Sequence, residues 1–220
     1  MDGAILAGGE SRRLGRAKAF VELGGRPLIS WVLESLRPLF REIIIVANRI
    51  EPFSRFGCQV IQDIIPGHGP MGGIYTALSF IKERQVFVTA CDTPFLRQEV
   101  VRYLVSQSSA LSASGGGSGG EAYEIVVARL SDGFHPLQAV YTRDCLTRMY
   151  ECLISSRLSL TNFLREARVR VISEQEIKSL DPRQISFFNI NTQHDLEQAG
   201  ALLSSQAKST SGPSPLNDST

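Results

Sequence analysis

The sequence predicts a single three-layer α/β/α domain built on a mostly parallel sheet. Short, nearly continuous runs of Val, Ile, Ala and Phe recur along the chain, as strands buried on both faces require. Helix-length amphipathic stretches separate them, and strand–helix alternation is the signature of parallel α/β architecture. With 220 residues and 43% apolar side chains, the chain has material for one large core.

In chain order, strands are expected at Gly3–Ala7, Glu42–Ala47, Cys58–Gln62, Gln85–Ala90, Glu124–Leu130, Leu137–Tyr141, Val169–Ile172 and Phe187–Ile190. Helices are expected at Pro27–Phe40, Met71–Lys82, Arg97–Ser106, Arg143–Ser155, Ser159–Glu166 and Thr192–Ser204. Pro27 suits a first helical turn, where its missing N–H is not needed. Residues 106–120, with Gly115-Gly116-Gly117-Ser118-Gly119-Gly120, read as a flexible Gly/Ser loop inside a domain spanning 1–204. Such a helix-to-strand loop belongs at the N-terminal sheet edge, away from the carboxyl ends where ligands bind. Residues 205–220 lack a core-forming pattern and are expected to be a disordered tail.

The formal charge of +1 gives no overall attraction to nucleic acid or an anionic membrane. There is no run of 18 apolar residues and no basic leader followed by an apolar stretch, so a cytoplasmic location is expected. Cys58, Cys91, Cys145 and Cys152 form no C-x-x-C pair and indicate neither zinc nor a disulfide framework. Cys145 and Cys152, seven apart, share a helix face as buried thiols.

Any affinity for anions must therefore be local, and the first strand runs into a suitable loop. Ala4-Ile5-Leu6-Ala7-Gly8-Gly9 is followed by Arg12, Arg13, Arg16 and Lys18. Adjacent glycines let backbone N–H groups approach a phosphate, and the cations neutralise it. Neither the P-loop spacing nor Gly-x-Gly-x-x-Gly fits this loop. Gly67 to Gly72 does match the dinucleotide pattern. However, Asp63 to Pro66 separate it from its strand, and Pro70 removes a donor, which disfavours a dinucleotide-dependent oxidoreductase.

The run Val86-Phe87-Val88-Thr89-Ala90-Cys91-Asp92-Thr93-Pro94 delivers one carboxylate to a strand's carboxyl end. Mg²⁺ commonly sits on one such carboxylate together with phosphate oxygens and water; Asp92 can equally cap the following helix. Asn48 and Asp63 also end strands. Their side chains suit the edge of a purine or a ribose, or simply form turns. His68, His135 and His194 make no nucleophile–base pairing that spacing supports; His68 and His194 read as loop and helix-start residues.

Taken in order, Leu6-Ala7-Gly8-Gly9 with Arg13 and Lys18, Ala47-Asn48-Arg49, Asp63 with Gly69-Pro70-Met71-Gly72-Gly73, Cys91-Asp92-Thr93-Pro94 and Asn189-Ile190-Asn191-Thr192 resemble the molybdenum cofactor guanylyltransferase (MobA) family over roughly residues 1–200. Leu14 and Ala17 depart from the family's usual Met and Asp, and Leu137-Gln138-Ala139 replaces a Thr-containing run. The resemblance implies a Rossmann-like sheet of the nucleotide-diphospho-sugar transferase type and Mg²⁺-dependent transfer of GMP from GTP to the terminal phosphate of molybdopterin. Leu6, Ala7, Gly8, Gly9, Lys18, Asn48, Asp63 and Asp92 would then contact the nucleotide. Arg13 and Lys18 would hold the triphosphate, and Asp92 the metal. Asn189, Asn191 and, more weakly, His135 would face the acceptor. Transient contact with molybdopterin-handling proteins is expected. A related enzyme using CTP or a sugar or cofactor phosphate, and a non-catalytic nucleotide-binding partner protein, are the alternative readings.

Overall fold

The computed structural model describes residues 1–8, 10–11, 16–109 and 123–210. Seven strands form one sheet: β1 (Asp2–Leu6), β2 (Ile43–Ala47), β3 (Gln59–Gln62), β4 (Gln85–Ala90), β5 (Ile125–Leu130), β6 (Gly133–Thr142) and β7 (Val169–Ser173). Their spatial order is β7-β5-β6-β4-β1-β2-β3. Strands β1 to β4 pair in parallel, as do β5 and β7, while β6 runs antiparallel to both neighbours. The mostly parallel three-layer domain is borne out.

The helices are α1 (Leu28–Leu36), α2 (Gly69–Phe80), α3 (Gln98–Ser109), α4 (Leu146–Ile154), α5 (Leu160–Glu166), α6 (Glu174–Leu180) and α7 (Gln193–Thr210). Alternation along each strand divides the core in two. Ile5, Ile45, Phe87, Val126 and Val140 meet the helices α1, α3 and α6 on one face. Ala4, Val88, Val127, Ala139 and Tyr141 meet α2, α4 and α5 on the other. Ala199 of α7 joins a smaller cluster with Leu28, Phe95 and Ile190. Both faces of the central strands are thus dry, which is why their sequences read as unbroken apolar runs.

Several boundaries move for physical reasons. The helix expected over Pro27–Phe40 stops at Leu36: Arg37 is still helical and donates to Leu33 O, but Pro38 has no N–H to continue the ladder. Strand β6 starts at Gly133, ahead of the expected Leu137, and carries an irregularity between Phe134 and Ala139 around Pro136. The segment Phe187–Ile190 is not a strand. Ile185–Phe187 is a 3₁₀ turn after Gln184, whose φ is 53°. Asp181 Oδ2 accepts from Ser186 N at 2.8 Å and Gln138 Nε2 donates to Ser186 O at 2.6 Å, so side chains satisfy backbone groups that a ladder would otherwise engage.

Helix α6 was not expected. Helix α7 continues to Thr210, so the tail expected to begin at Ser205 starts as helix; Ser204–Thr210 contains no Gly or Pro to break it. Residues 211–220 lie outside the described residues. Helix α3 likewise extends through Ser109, four residues into the expected Gly/Ser loop, and residues 110–120 lie outside the described part. Ser108 Oγ donates to Gln85 Oε1 at 3.0 Å, which puts the end of α3 beside the first residue of β4. That is the sheet edge opposite Asp92. Among the described residues no helix is long and apolar enough to cross a membrane.

Candidate active site

Register decides where the site lies. Leu6 is level with Val46 on one side and Ala90 on the other, so three strands end together. Ala7-Gly8, Ala47-Asn48 and Cys91-Asp92 therefore emerge side by side. Main-chain bonds lock the exits: Ala7 N to Val46 O at 2.8 Å, Cys91 N to Leu6 O at 3.1 Å and Asp63 N to Ala47 O at 2.9 Å. A cavity of about 450 Å³ opens above them. Leu6, Gly8, Lys18, Asn48, Asp63 and Asp92 all line it. Parallel sheets bind ligands at this edge, because strand ends there leave a crevice.

Each side chain is fixed by its own neighbours. Asn48 Nδ2 donates to Gly8 O at 2.8 Å, tying the first loop to the exit of β2. A Cβ on Gly8 would lie 3.2 Å from Asn48 Oδ1, so glycine permits this close approach. Asp63 Oδ1 accepts from Thr76 Oγ1 at 2.8 Å and Ile65 N at 3.0 Å, which fastens β3's exit to α2. Gly69 and Pro70, in the first turn of α2, form part of the wall; Gly69 has a φ of 61°. A Cβ on Gly72 would lie 2.8 Å from Ile65 O, so only glycine lets the loop pack on the helix there. The six-residue gap between Gln62 and the helix explains why the Gly67–Gly72 match is no dinucleotide turn.

Asp92 is 7% exposed and carries the central interaction. Lys18 Nζ donates to Asp92 Oδ2 at 2.8 Å and also to Asn191 Oδ1. Ile190 N donates to Asp92 O at 3.0 Å, so the Asn189–Asn191 segment is strapped onto the exit of β4. Asp195 Oδ2 in turn accepts from Asn191 N at 2.9 Å and Thr192 N at 2.8 Å. These backbone donors hold the Asp195 carboxyl below its ordinary range, despite some opposing desolvation. Residues 18, 92 and 191 thus meet at one point.

The alternative reading of Asp92 as a helix cap does not describe its side chain, which faces Lys18 rather than the start of α3. Cys91 is buried, and burial together with the Asp92 charge pushes its thiol well up. It is no nucleophile. The donors at Asp92 and Asn191 are hard oxygens, suited to Mg²⁺ more than to a soft metal. Among the described residues no cluster of three His, Cys, Asp or Glu could hold a metal alone. A metal here must take most of its ligands from phosphate and water.

Not every expected residue reaches the cavity wall. Ala7 is buried within the exit of β1, and Asn189 is exposed to one side. His135 packs edge-on against Phe187 at 4.7 Å, with Nε2 2.9 Å from Asp132 Oδ1. Leu137, from the same stretch of β6, does line the cavity. Gly9 and Arg13 lie outside the described residues. Sequence reasoning missed Gln138 and Asp181, which set the turn before Asn189.

The same chain matches the model of the MobA-like NTP transferase domain over residues 3–171. The chain belongs to this family. It is 36% identical over 200 residues to the probable molybdenum cofactor guanylyltransferase of Pelotomaculum thermopropionicum, covering 91% of this chain and 92% of that protein. The molybdenum cofactor guanylyltransferase of Desulfosudis oleivorans is 35% identical, covering 91% and 95%. The crystal structure of molybdopterin-guanine dinucleotide biosynthesis protein A from Archaeoglobus fulgidus superposes with a TM-score of 0.79 at 28% identity, over 93% of this chain and all of that one. A CMP-2-keto-3-deoxy-manno-octonic acid synthetase shares the fold at 14% identity, with a TM-score of 0.67. This MobA-like chain is a nucleotidyltransferase, and its sheet is of the nucleotide-diphospho-sugar transferase type.

Proposed function

We propose that the enzyme transfers GMP from GTP to the terminal phosphate of molybdopterin, releasing pyrophosphate, and that it does so in the cytoplasm. The observation that carries this reading is the meeting of Lys18, Asp92 and Asn191 beside the aligned ends of β1, β2 and β4. The names of the relatives favour GTP and a molybdopterin acceptor. In this reading Asn48 and Asp63, at the exits of β2 and β3, would contact the nucleoside, Leu6 and Gly8 its phosphate end, and Arg13 and Lys18 would hold the triphosphate. Asp92 would hold Mg²⁺, which when bound supplies charge neutralisation on the phosphates.

The acceptor phosphate has a second pKa near 6 and is largely ionised at neutral pH. One of its oxygens forms a new bond to the α-phosphorus of GTP as the bond to the β-phosphate oxygen breaks. No general base is required, and among the described residues no histidine lines the cavity. The work left to the protein is in-line positioning and stabilisation of the departing pyrophosphate. Asn189, Asn191 and, more weakly, His135 would face the acceptor. A molybdopterin-handling protein could deliver it there.

The test is a panel of GTP, CTP, ATP and UTP with Mg²⁺ and molybdopterin, with pyrophosphate release as readout. Release with GTP alone is expected. Preference for CTP would move the enzyme to a sister specificity, and binding without release would make it a nucleotide-binding partner protein.

A further inference from the structure

Asp92 already has a cation. Lys18 Nζ stands 2.8 Å from its carboxylate and is gripped on its other side by Asn191 Oδ1. The carboxylate is 11% exposed and the lysine side chain 22%, so solvent weakens the pair less than it would a surface pair. An ammonium and a divalent ion would compete for the same oxygen. Lys18 also lines the cavity with Gly8, on the wall where the glycine loop begins. Its backbone lies in the 3₁₀ turn Lys18–Phe20, anchored by the buried Ala19, while its four-carbon stem has the rotatable bonds to carry the ammonium to a new partner.

We propose that Lys18 is a resident counter-ion for Asp92, and that it gives way to a divalent cation only when a nucleotide polyphosphate arrives to receive the ammonium. The proposal rests on the reading of this cavity as a metal–nucleotide site. Metal alone gains one carboxylate oxygen but must displace a paired lysine and leave its charge unmatched. Metal arriving with a triphosphate brings oxygens for itself and for Lys18, so both cations end up paired. Metal and nucleotide are thereby coupled, and linkage makes the coupling reciprocal. The exchange keeps Asp92 neutralised in the resting enzyme and keeps free metal out of it.

Mn²⁺ binding followed by electron paramagnetic resonance tests this without turnover. Lys18→Met should bind free Mn²⁺ on the order of tenfold more tightly than wild type, and Asp92→Asn added to it should cancel the gain. Lys18→Arg keeps a cation and should remain as weak as wild type. Adding GTP should raise Mn²⁺ affinity more in wild type than in Lys18→Met. Equal free-metal affinity in wild type and Lys18→Met overturns the exchange, as does tight binding by Lys18→Arg. If wild type takes up no Mn²⁺ even with GTP, the metal–nucleotide reading itself falls. If Mn²⁺·GTP binds normally but Lys18→Met gains nothing, only the exchange falls.

Discussion

Replacing Asp92 by Ala removes the charged acceptor of Lys18, leaving it Asn191, and keeps the main-chain bond from Ile190 to residue 92 in place. The strap across the exit of β4 should survive, while the charge that organises the crevice does not. Turnover should fall by a factor on the order of 10²–10³ or more, as when one preorganised electrostatic contact is lost, with the far-UV spectrum unchanged. Wild-type pyrophosphate release by this variant would remove Asp92 from the chemistry. The residue was legible because a buried strand ends in a lone acid. Lys18 and Asn191 entered through the family resemblance, but their contact did not. Lys18 and Asn191 lie 173 positions apart, and nothing local in either segment announces the contact.

At the scale of elements, α6 shows what was missed. Ser173 Oγ accepts from Glu176 N at 3.3 Å, and Glu176 Oε2 accepts from Ser173 N at 2.8 Å, a reciprocal cap at the helix start. The Ser-x-x-Glu pattern was readable, but the helix is only seven residues long and offers little periodicity. Ser173→Ala should cost about 1 kcal/mol and lower the midpoint of thermal unfolding by roughly 2–4 °C. Burial opposes ionisation of Glu176, but donors from Ser173, Tyr103 and Arg170 outweigh it and bring its carboxyl down to about 2 from 4.5. A lowered carboxyl stabilises the fold fully above pH about 4.5 and loses that contribution as pH falls toward 2. Denaturant titrations should therefore show wild type losing more stability than Glu176→Gln across that interval; equal losses would discount the cap. Phe187–Ile190 teaches the converse lesson: its apolar run looks like a strand, but Asp181 and Gln138 bind Ser186 and turn the chain.

Across the whole molecule, the apolar runs specified the sheet, and its register brought three distant motifs to one edge. The reversal of β6 does not show in its buried pattern, but it was legible in the connection: only six residues separate the strands expected at Glu124–Leu130 and Leu137–Tyr141, too few for a parallel crossover. The two-sided core also sets the chemistry of the four cysteines. Cys91, Cys145 and Cys152 are buried and Cys58 is half-buried. Burial and the nearby Glu124 charge push Cys145 up to about 12, so its thiol stays protonated at neutral pH. A disulfide reagent at pH 8 should titrate no more than one thiol in the native enzyme and all four after unfolding. Rapid native labelling of two or more would show that the core opens.

The strap from Ile190 to Asp92 has a consequence for biosynthesis. All of β1 to β6, and with them the nucleotide wall, lie before residue 143, but the clamp on the acid awaits residues 190 and 191. A nascent polypeptide can therefore assemble its scaffold while still on the ribosome and remain without a finished reaction centre. On the proposed reading, catalytic competence would follow the emergence of residues 190 and 191, after the sheet that supports it.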